Sequence, residues 1–342
     1  MGKSSILRFL RIAVTTALLV YVFHKAGLLT LQGWRNLFDT FAHTKLIFLL
    51  ASILILPILD FASSVKWYFL CRSCGLSVGL WRLYAYYVIG KFFSLILPSS
   101  IGGDVIRIHE LGRYTGRYAD AAAVVFVERF SGLATLVMLA LIAVIVNLQV
   151  FNIPWLTISL SIGILGLGFI CWLIVDDRPF NLSHKLFGER LPILKKIFSK
   201  IEKFRNAVLL YKDDSGALVW ALVNSLIFYF LSVINVWVSA LTFNADINFI
   251  STLVAVPVIM FIMNLPFSIG GIGLTEFAYT FTLGIFGVNP AVAISTTLLM
   301  RLKTFIDAGL GGLLYPLVKG ENSTAIELSK EIEKSYNKQY KD

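Results

Sequence analysis

Charge is what this sequence has least of. Only 15% of its 342 residues are Asp, Glu, Lys or Arg, against 57% hydrophobic and a mean hydropathy of +0.79, too little charge to cover a soluble domain of this size. Cysteine is nearly absent too. Three residues exclude a disulfide framework, and Cys71-Arg72-Ser73-Cys74 lacks both the second ligand pair of a zinc site and the βαβ context of a thioredoxin-like motif. The four histidines, His24, His43, His109 and His184, are scattered, which argues against a metal centre. No Walker, G-x-S-x-G or H-E-x-x-H pattern occurs, so neither nucleotide nor hydrolase chemistry is expected, and no cofactor. Alternating segments of about ten residues, the mark of an outer-membrane barrel, are missing. No small-residue cleavage site follows the run Ile12 to Phe23, which therefore reads as a retained first helix.

What is present is a series of apolar runs, several near or above about eighteen residues. They predict an all-α polytopic membrane protein. The net charge of +10 then points to loops facing anionic lipid and not to nucleic acid. After the first helix, Leu31, Trp34, Leu37, Phe38 and Phe41 recur at helical spacing, as in a helix lying on a membrane surface. Spans are expected at Leu46 to Val65, Ala121 to Val146, Trp155 to Val175, Leu218 to Leu241 and Ala291 to Val318. Lys66-Trp67 closes the first of these as an interfacial pair. The loop 176–217 holds nine Lys and Arg; Leu194, Ile197, Phe198, Ile201, Phe204 and Val208 share one face there, predicting a basic amphipathic helix on the cytoplasmic leaflet. Residues 319–342 read as a polar cytoplasmic tail.

Two stretches organise the rest. Leu97-Pro98-Ser99-Ser100-Ile101-Gly102-Gly103 returns as Leu265-Pro266-Phe267-Ser268-Ile269-Gly270-Gly271, with six of seven positions identical. Each copy follows an apolar run and precedes another in which an Arg lies eight residues after an Ala, Ala121 to Arg129 and Ala293 to Arg301, so duplication is the simplest account. Proline removes a donor and paired glycines add backbone freedom, so each copy marks a break in a helix. The runs beside them, Tyr84 to Leu97 and Phe277 to Val288, are too short to cross a core of about 30 Å.

The basic residues set the architecture. If both breaks are re-entrant hairpins, Lys91, Arg129, Arg301 and Lys303 lie within the membrane, Lys25, Arg35 and Lys45 lie outside, and every other Lys and Arg of the 30 lies on the side of the N-terminus. The expectation is about six full spans plus two broken-helix hairpins, in inverted halves of about 46–147 and 218–318, within a single transmembrane domain 1–318. Both termini would be cytoplasmic, in the cell membrane.

Backbone N–H groups at such breaks converge into an anion-binding nest. A phosphate is the expected guest, held between Gly102, Gly103 and Gly270, Gly271, with the half-helix starts near Asp104 and Thr275 adding positive dipole ends. Arg107, Arg129 and Arg301 can pair with phosphate in a fork, and a charge kept at that depth at a cost of about 3 kcal/mol marks a pathway or a pairing. Gly273 and Glu276 follow the second break, where Glu276 is either a proton carrier or the counter-ion of Arg301. Plainer readings stand beside these. The glycines can serve only close helix packing, and Arg107 can pair locally with Asp104 or Glu110. Glu128 and Arg129 point about 100° apart and so need separate partners. Lys303 and Asp307, four apart, read as a structural pair, and Lys91 either snorkels or lines a cavity.

These residues resemble a known family, the flippase-like transmembrane region of lysylphosphatidylglycerol synthases, also found alone in small prokaryotic membrane proteins. The resemblance rests on Leu97-Pro98-x-x-x-Gly102-Gly103-Asp104-x-x-Arg107, on Glu128-Arg129-x-x-Gly132, on Leu265-Pro266-x-x-x-Gly270-Gly271-x-Gly273-x-x-Glu276, on Arg301 and on Lys66-Trp67. It implies a polytopic bundle and, for the synthases, movement of an aminoacylated phospholipid across the bilayer. Nothing after Val318 resembles the aminoacyl-transfer domain of those synthases, so lysyl transfer is not expected of these residues. The leading expectation is a lipid translocator whose cargo is a phospholipid or a polyprenyl phosphate. The alternatives are a lipid-modifying enzyme using Asp104, Glu128 or Glu276 as acid or base, and a non-catalytic assembly partner.

Overall fold

The computed structural model describes residues 3–96, 102–146, 153–176, 178, 202–211, 214–265 and 271–339, with the side chains among them except 3–12, 175 and 319–339. The described residues are helical, with no strand among them. Four helices are long and apolar enough to cross a membrane: α3 (Leu46–Ser73), α6 (Tyr118–Val146), α7 (Pro154–Val175) and α8 (Ser215–Leu241). The expectation of about six spans also counts α1 (Lys3–Lys25) and α11 (Pro290–Gln339). Of these, α1 offers the shorter apolar stretch Ala13–Lys25, and α11 carries Arg301, Lys303 and Asp307 along its inner part. Leu46, Ile47, Leu54, Ile145, Leu165 and Leu313 point outward and exposed, as lipid-facing side chains do.

Each motif falls where two short helices fold against each other. Helix α4 (Leu80–Ile96) spans 17 residues, about 25 Å, and packs beside α5 (Gly102–Thr115). In the second half α9 (Phe249–Met263) packs beside α10 (Leu274–Ile285). Residues 97–101 and 266–270, which include Gly270 and the prolines of both copies, lie outside the described residues.

The contacts repeat under exchange of α3 with α8, α4 with α9, α5 with α10 and α6 with α11. Helix α4 packs on α11 as α9 packs on α6, and α5 on α6 as α10 on α11. The equivalent helices α3 and α8 run antiparallel: Phe69 stacks on Trp220 at one end, while Ser52 and Ser239 share the Lys303 ammonium at the other. One half is therefore inverted relative to the other, the arrangement of transporter repeats.

The glycines of the two copies solve different problems. A Cβ on Gly103 would lie 2.1 Å from Ser94 Oγ and 2.2 Å from the Gly90 carbonyl oxygen, so Gly103 allows α4 and α5 to touch, in accord with the packing reading. Gly271 and Gly273 instead hold φ of 72° and 78°, the left-handed region where a side chain is strained.

Helix α2 (Leu31–Ala42) is capped by Thr30, whose Oγ1 accepts the Gly33 N–H at 3.2 Å. It buries Leu37 against Val22, Ala26 and Ile294 and leaves Leu31 and Phe38 exposed, which fits a surface helix. The expected amphipathic helix of the 176–217 loop is described only over 202–211. There Phe204 packs edge-on against Phe126 at 5.4 Å, and the Tyr211 hydroxyl donates to the Leu70 carbonyl at 2.7 Å. This part of the apolar face is covered by protein and not by lipid, because α3 and α6 offer it a protein surface.

Gly103→Ala is expected to lower stability by about 1–3 kcal/mol through overpacking against backbone, whereas Gly309→Ala, with nothing within 4 Å, should be neutral or better. Thermal unfolding of the two variants in detergent measures the difference.

Candidate functional site

The charged residues expected near the first break form one network. Asp104 sits in the first turn of α5, where a carboxylate complements the positive helix end. One turn on, the Arg107 guanidinium lies between the Trp67 and Tyr87 rings, 4.3 and 4.7 Å from their centroids, a doubly stacked cation. It donates to Asp104 Oδ1 at 3.1 Å and to Glu128 Oε2 at 3.0 Å. Arg129 reaches the same Asp104 Oδ1 through Nε and Nη2, at 3.1 and 2.8 Å. Glu128 and Arg129 thus find separate partners, as their divergence on the helix requires.

Lys66 completes this network. It donates to the Glu128 carbonyl at 2.7 Å and to Ser225 Oγ at 2.8 Å. Lys66 and Trp67 are buried because α3 continues to Ser73. The expected interfacial anchor is in fact an interior cation beside a stacking wall. Three cations face two carboxylates here, leaving one positive charge in excess.

The second break repeats the pattern. Glu276, in the first turn of α10, accepts the Gly273 N–H at 2.7 Å and binds both Nε and Nη2 of Arg301. Arg301 Nη2 also donates to the Gly271 carbonyl at 2.8 Å. Glu276 is thus the counter-ion of Arg301. The acid at the half-helix start and the arginine of the following long helix are 25 residues apart in both halves, Asp104 to Arg129 and Glu276 to Arg301. The protein's own carboxylates occupy the helix starts where a phosphate was expected.

A third cluster was legible only as isolated charges. Lys91 of α4 bridges Asp60 of α3 and Asp307 of α11, and its ammonium lies 5.5 Å from the Tyr87 centroid. The expected Lys303–Asp307 pair does not form. Lys303, fully buried, donates instead to Asn235 Oδ1 and Ser239 Oγ, each at 2.7 Å. Helical spacing allows an i,i+4 pair but cannot outweigh partners on neighbouring helices. The available signal was Asp60 and Lys91, each a charge without an opposite partner in its own apolar run, together with a third charge, Asp307, whose partner had been sought on its own helix.

Among the described residues, two cavities with charged groups in otherwise largely apolar walls lie beside these clusters. One of about 260 Å³ is walled by Lys66, Tyr87, Glu128, Arg129 and Asn224. The other, about 450 Å³, is walled by Lys91, Gly271, Thr275, Arg301 and Asp307. Phe228 and Met260 line both. Of the expected site residues, Glu128, Arg129, Gly271 and Arg301 therefore face these cavities. Gly102, Gly103, Asp104, Arg107, Gly273 and Glu276 are not among their lining; of these, Asp104 holds Arg129, Arg107 holds Glu128 and Glu276 holds Arg301. An apolar groove of about 360 Å³, lined by Ile53, Pro57, Tyr84, Leu310 and Leu314, shares Leu56 and Asp307 with the larger cavity.

Residues 8–311 match the family described as the lysylphosphatidylglycerol synthase TM region. Among curated relatives, a UPF0104 membrane protein of Methanothermobacter thermautotrophicus is 21% identical over 298 residues, 82% of this chain and 88% of its own. Counterparts in Pyrococcus horikoshii, 22% identical over 78% of this chain and 86% of its own, and Methanocaldococcus jannaschii, 20% identical over 92% of this chain and 95% of its own, are similar. No solved structure gives a significant match.

Glu128→Ala strands the buried Arg107 with half its acid partners and is expected to cost about 3–5 kcal/mol. Arg117→Ala, which removes a half-exposed pair with Asp120 and two hydrogen bonds to the Gly75 and Cys74 carbonyls, should cost less, about 1–2 kcal/mol. Detergent melting curves compare the two.

Proposed function

The chain belongs to the family of the lysylphosphatidylglycerol synthase TM region, and on that premise we propose that it carries a phosphate-bearing lipid between the leaflets of the cell membrane. The observation that carries this reading is the pair of arginines, one in each inverted half. Each is held by an acid 25 residues away and faces a cavity separated from the other by Phe228 and Met260.

An arginine already held by a carboxylate can exchange it for a phosphate without being left unpaired, because both are oxyanions matching the same fork. The cost of a buried cation is then met at every stage of transfer. A head group entering beside Arg129 displaces Asp104. After it passes Phe228 and Met260, Arg301 takes it in exchange for Glu276. Rocking of one half against the other opens the cavities to opposite leaflets in turn. The apolar groove that shares Leu56 and Asp307 with the larger cavity lets the hydrocarbon chain stay in an apolar environment while the head group is inside.

The cargo class is a phospholipid or a polyprenyl phosphate, and the basic loops support an N-terminus in the cytoplasm. Acid–base chemistry on the lipid is disfavoured because Asp104, Glu128 and Glu276 are each already engaged by an arginine.

In vesicles holding the purified protein and either labelled phosphatidylglycerol or labelled polyprenyl phosphate, intact lipid should change leaflets. Arg129→Ala or Arg301→Ala should slow this by about 10- to 100-fold, the value of one charge-assisted bond. Recovery of a chemically altered lipid would overturn the reading.

A further inference from the structure

The Asp60–Lys91–Asp307 cluster is charge-unbalanced in a way the lipid path does not explain. Two carboxylates share one ammonium, leaving a net negative charge where α3, α4 and α11 meet. Asp60 is 1% exposed, and its Oδ2 has no hydrogen-bond partner. Both a bare buried oxygen and an uncompensated buried charge are costly. The oxygens bonded to Lys91 each lie one hydrogen-bond length from the same nitrogen, so they are no more than about 6 Å apart. One proton resolves both problems. Placed on a carboxyl oxygen it neutralises the cluster and supplies the missing donor. A metal cation is a poor alternative, because the Lys91 ammonium already holds the position between the carboxylates.

We propose that Asp60 and Asp307 form a proton-binding site that takes up one proton when the adjoining cavity receives an anionic head group and releases it when the head group leaves. The coupling, which rests on the transport reading above, follows from shared walls: Lys91 and Asp307 line the same cavity as Arg301. A phosphate arriving there adds negative charge beside a site already carrying an excess, which favours protonation. By reciprocity, a proton favours the phosphate.

The other charged and titratable groups facing the pair do not replace this role. They are Tyr84 and Tyr87 of α4, Tyr279 of α10 and Arg301 of α11 in the shared cavity, with Arg107 of α5 on Tyr87. Helix α8 contributes the uncharged Ser232 and Asn235 to the cavity. Arg301 is bonded to Glu276 and Gly271, and Lys303 to Asn235 and Ser239. Glu276, read from the sequence as either a proton carrier or the counter-ion of Arg301, is bonded to both Arg301 and the Gly273 N–H.

Two measurements test the proposal separately. Infrared difference spectra of the reconstituted protein between about pH 5 and pH 8 should show the carbonyl stretch of a protonated carboxylic acid. The band should vanish in Asp60→Asn and Asp307→Asn and persist in Glu276→Gln. Its absence from the wild type, or its survival in both Asn variants, overturns the proton site. Should the Asn variants not fold, Asp60→Glu should shift the titration midpoint of the band, and an unmoved midpoint overturns the assignment. In vesicles, wild-type movement of labelled phosphatidylglycerol should change about tenfold over the same range, and that of Asp60→Asn should be flat. Wild-type movement that ignores pH overturns the coupling while leaving transport standing. If no lipid moves, the transport reading fails, and the infrared band alone decides the proton site.

Discussion

Buried charge, paired across helices, is the constraint on which this structure depends. A cation among apolar helices is tolerable only when an acid or several dipoles face it, and each buried cation of the interior meets that condition through another element. Arg107 joins α5 to α6 through Glu128, Arg301 joins α11 to α10 through Glu276, and Lys91 joins α4 to both α3 and α11. Lys303, with no carboxylate on its ammonium, is met by Asn235 and Ser239 of α8 and the Ser52 carbonyl of α3. These links register the helices against one another where apolar packing alone, with lipid as good a neighbour as protein, would leave them free to slide.

The inverted repeat gives the links their arrangement. An acid at the start of a half-helix and an arginine on the following long helix recur at one spacing in both halves, so each half carries a similar clamp facing its own cavity. The repeat is not exact. Asp104 serves two arginines while Glu276 serves one, and Gly103 is a packing glycine while Gly271 and Gly273 are left-handed ones. The first half carries a positive excess around Lys66, and the larger cavity carries a negative one around Lys91.

The helices flanking the breaks lean on the rest of the scaffold. They are too short to span and depend on neighbours for their polar groups. Gly273 packs a left-handed turn against the Thr15 carbonyl of α1 at a distance that leaves no room for a Cβ, so α1 is a brace for the second hairpin and not only a membrane anchor.

The apolar runs by themselves determined that the chain is a helical membrane protein, because hydrocarbon leaves the backbone no other option than a helix or a closed barrel. The duplicated Leu-Pro-x-Ser-Ile-Gly-Gly stretch and the placement of basic residues were enough to read two hairpins in inverted halves, since proline, paired glycines and loop charge act locally. Partners were not legible. Lys303 with Asp307 fits helical spacing, Lys66 with Trp67 fits an interface, and Lys91 fits a snorkelling residue. Each of those readings considers only its own helix. Which carboxylate meets which cation is settled by the crossing of α3, α4, α8 and α11, a property of helices far apart in the chain, and only the tertiary structure brings Asp60, Lys91 and Asp307 to one point.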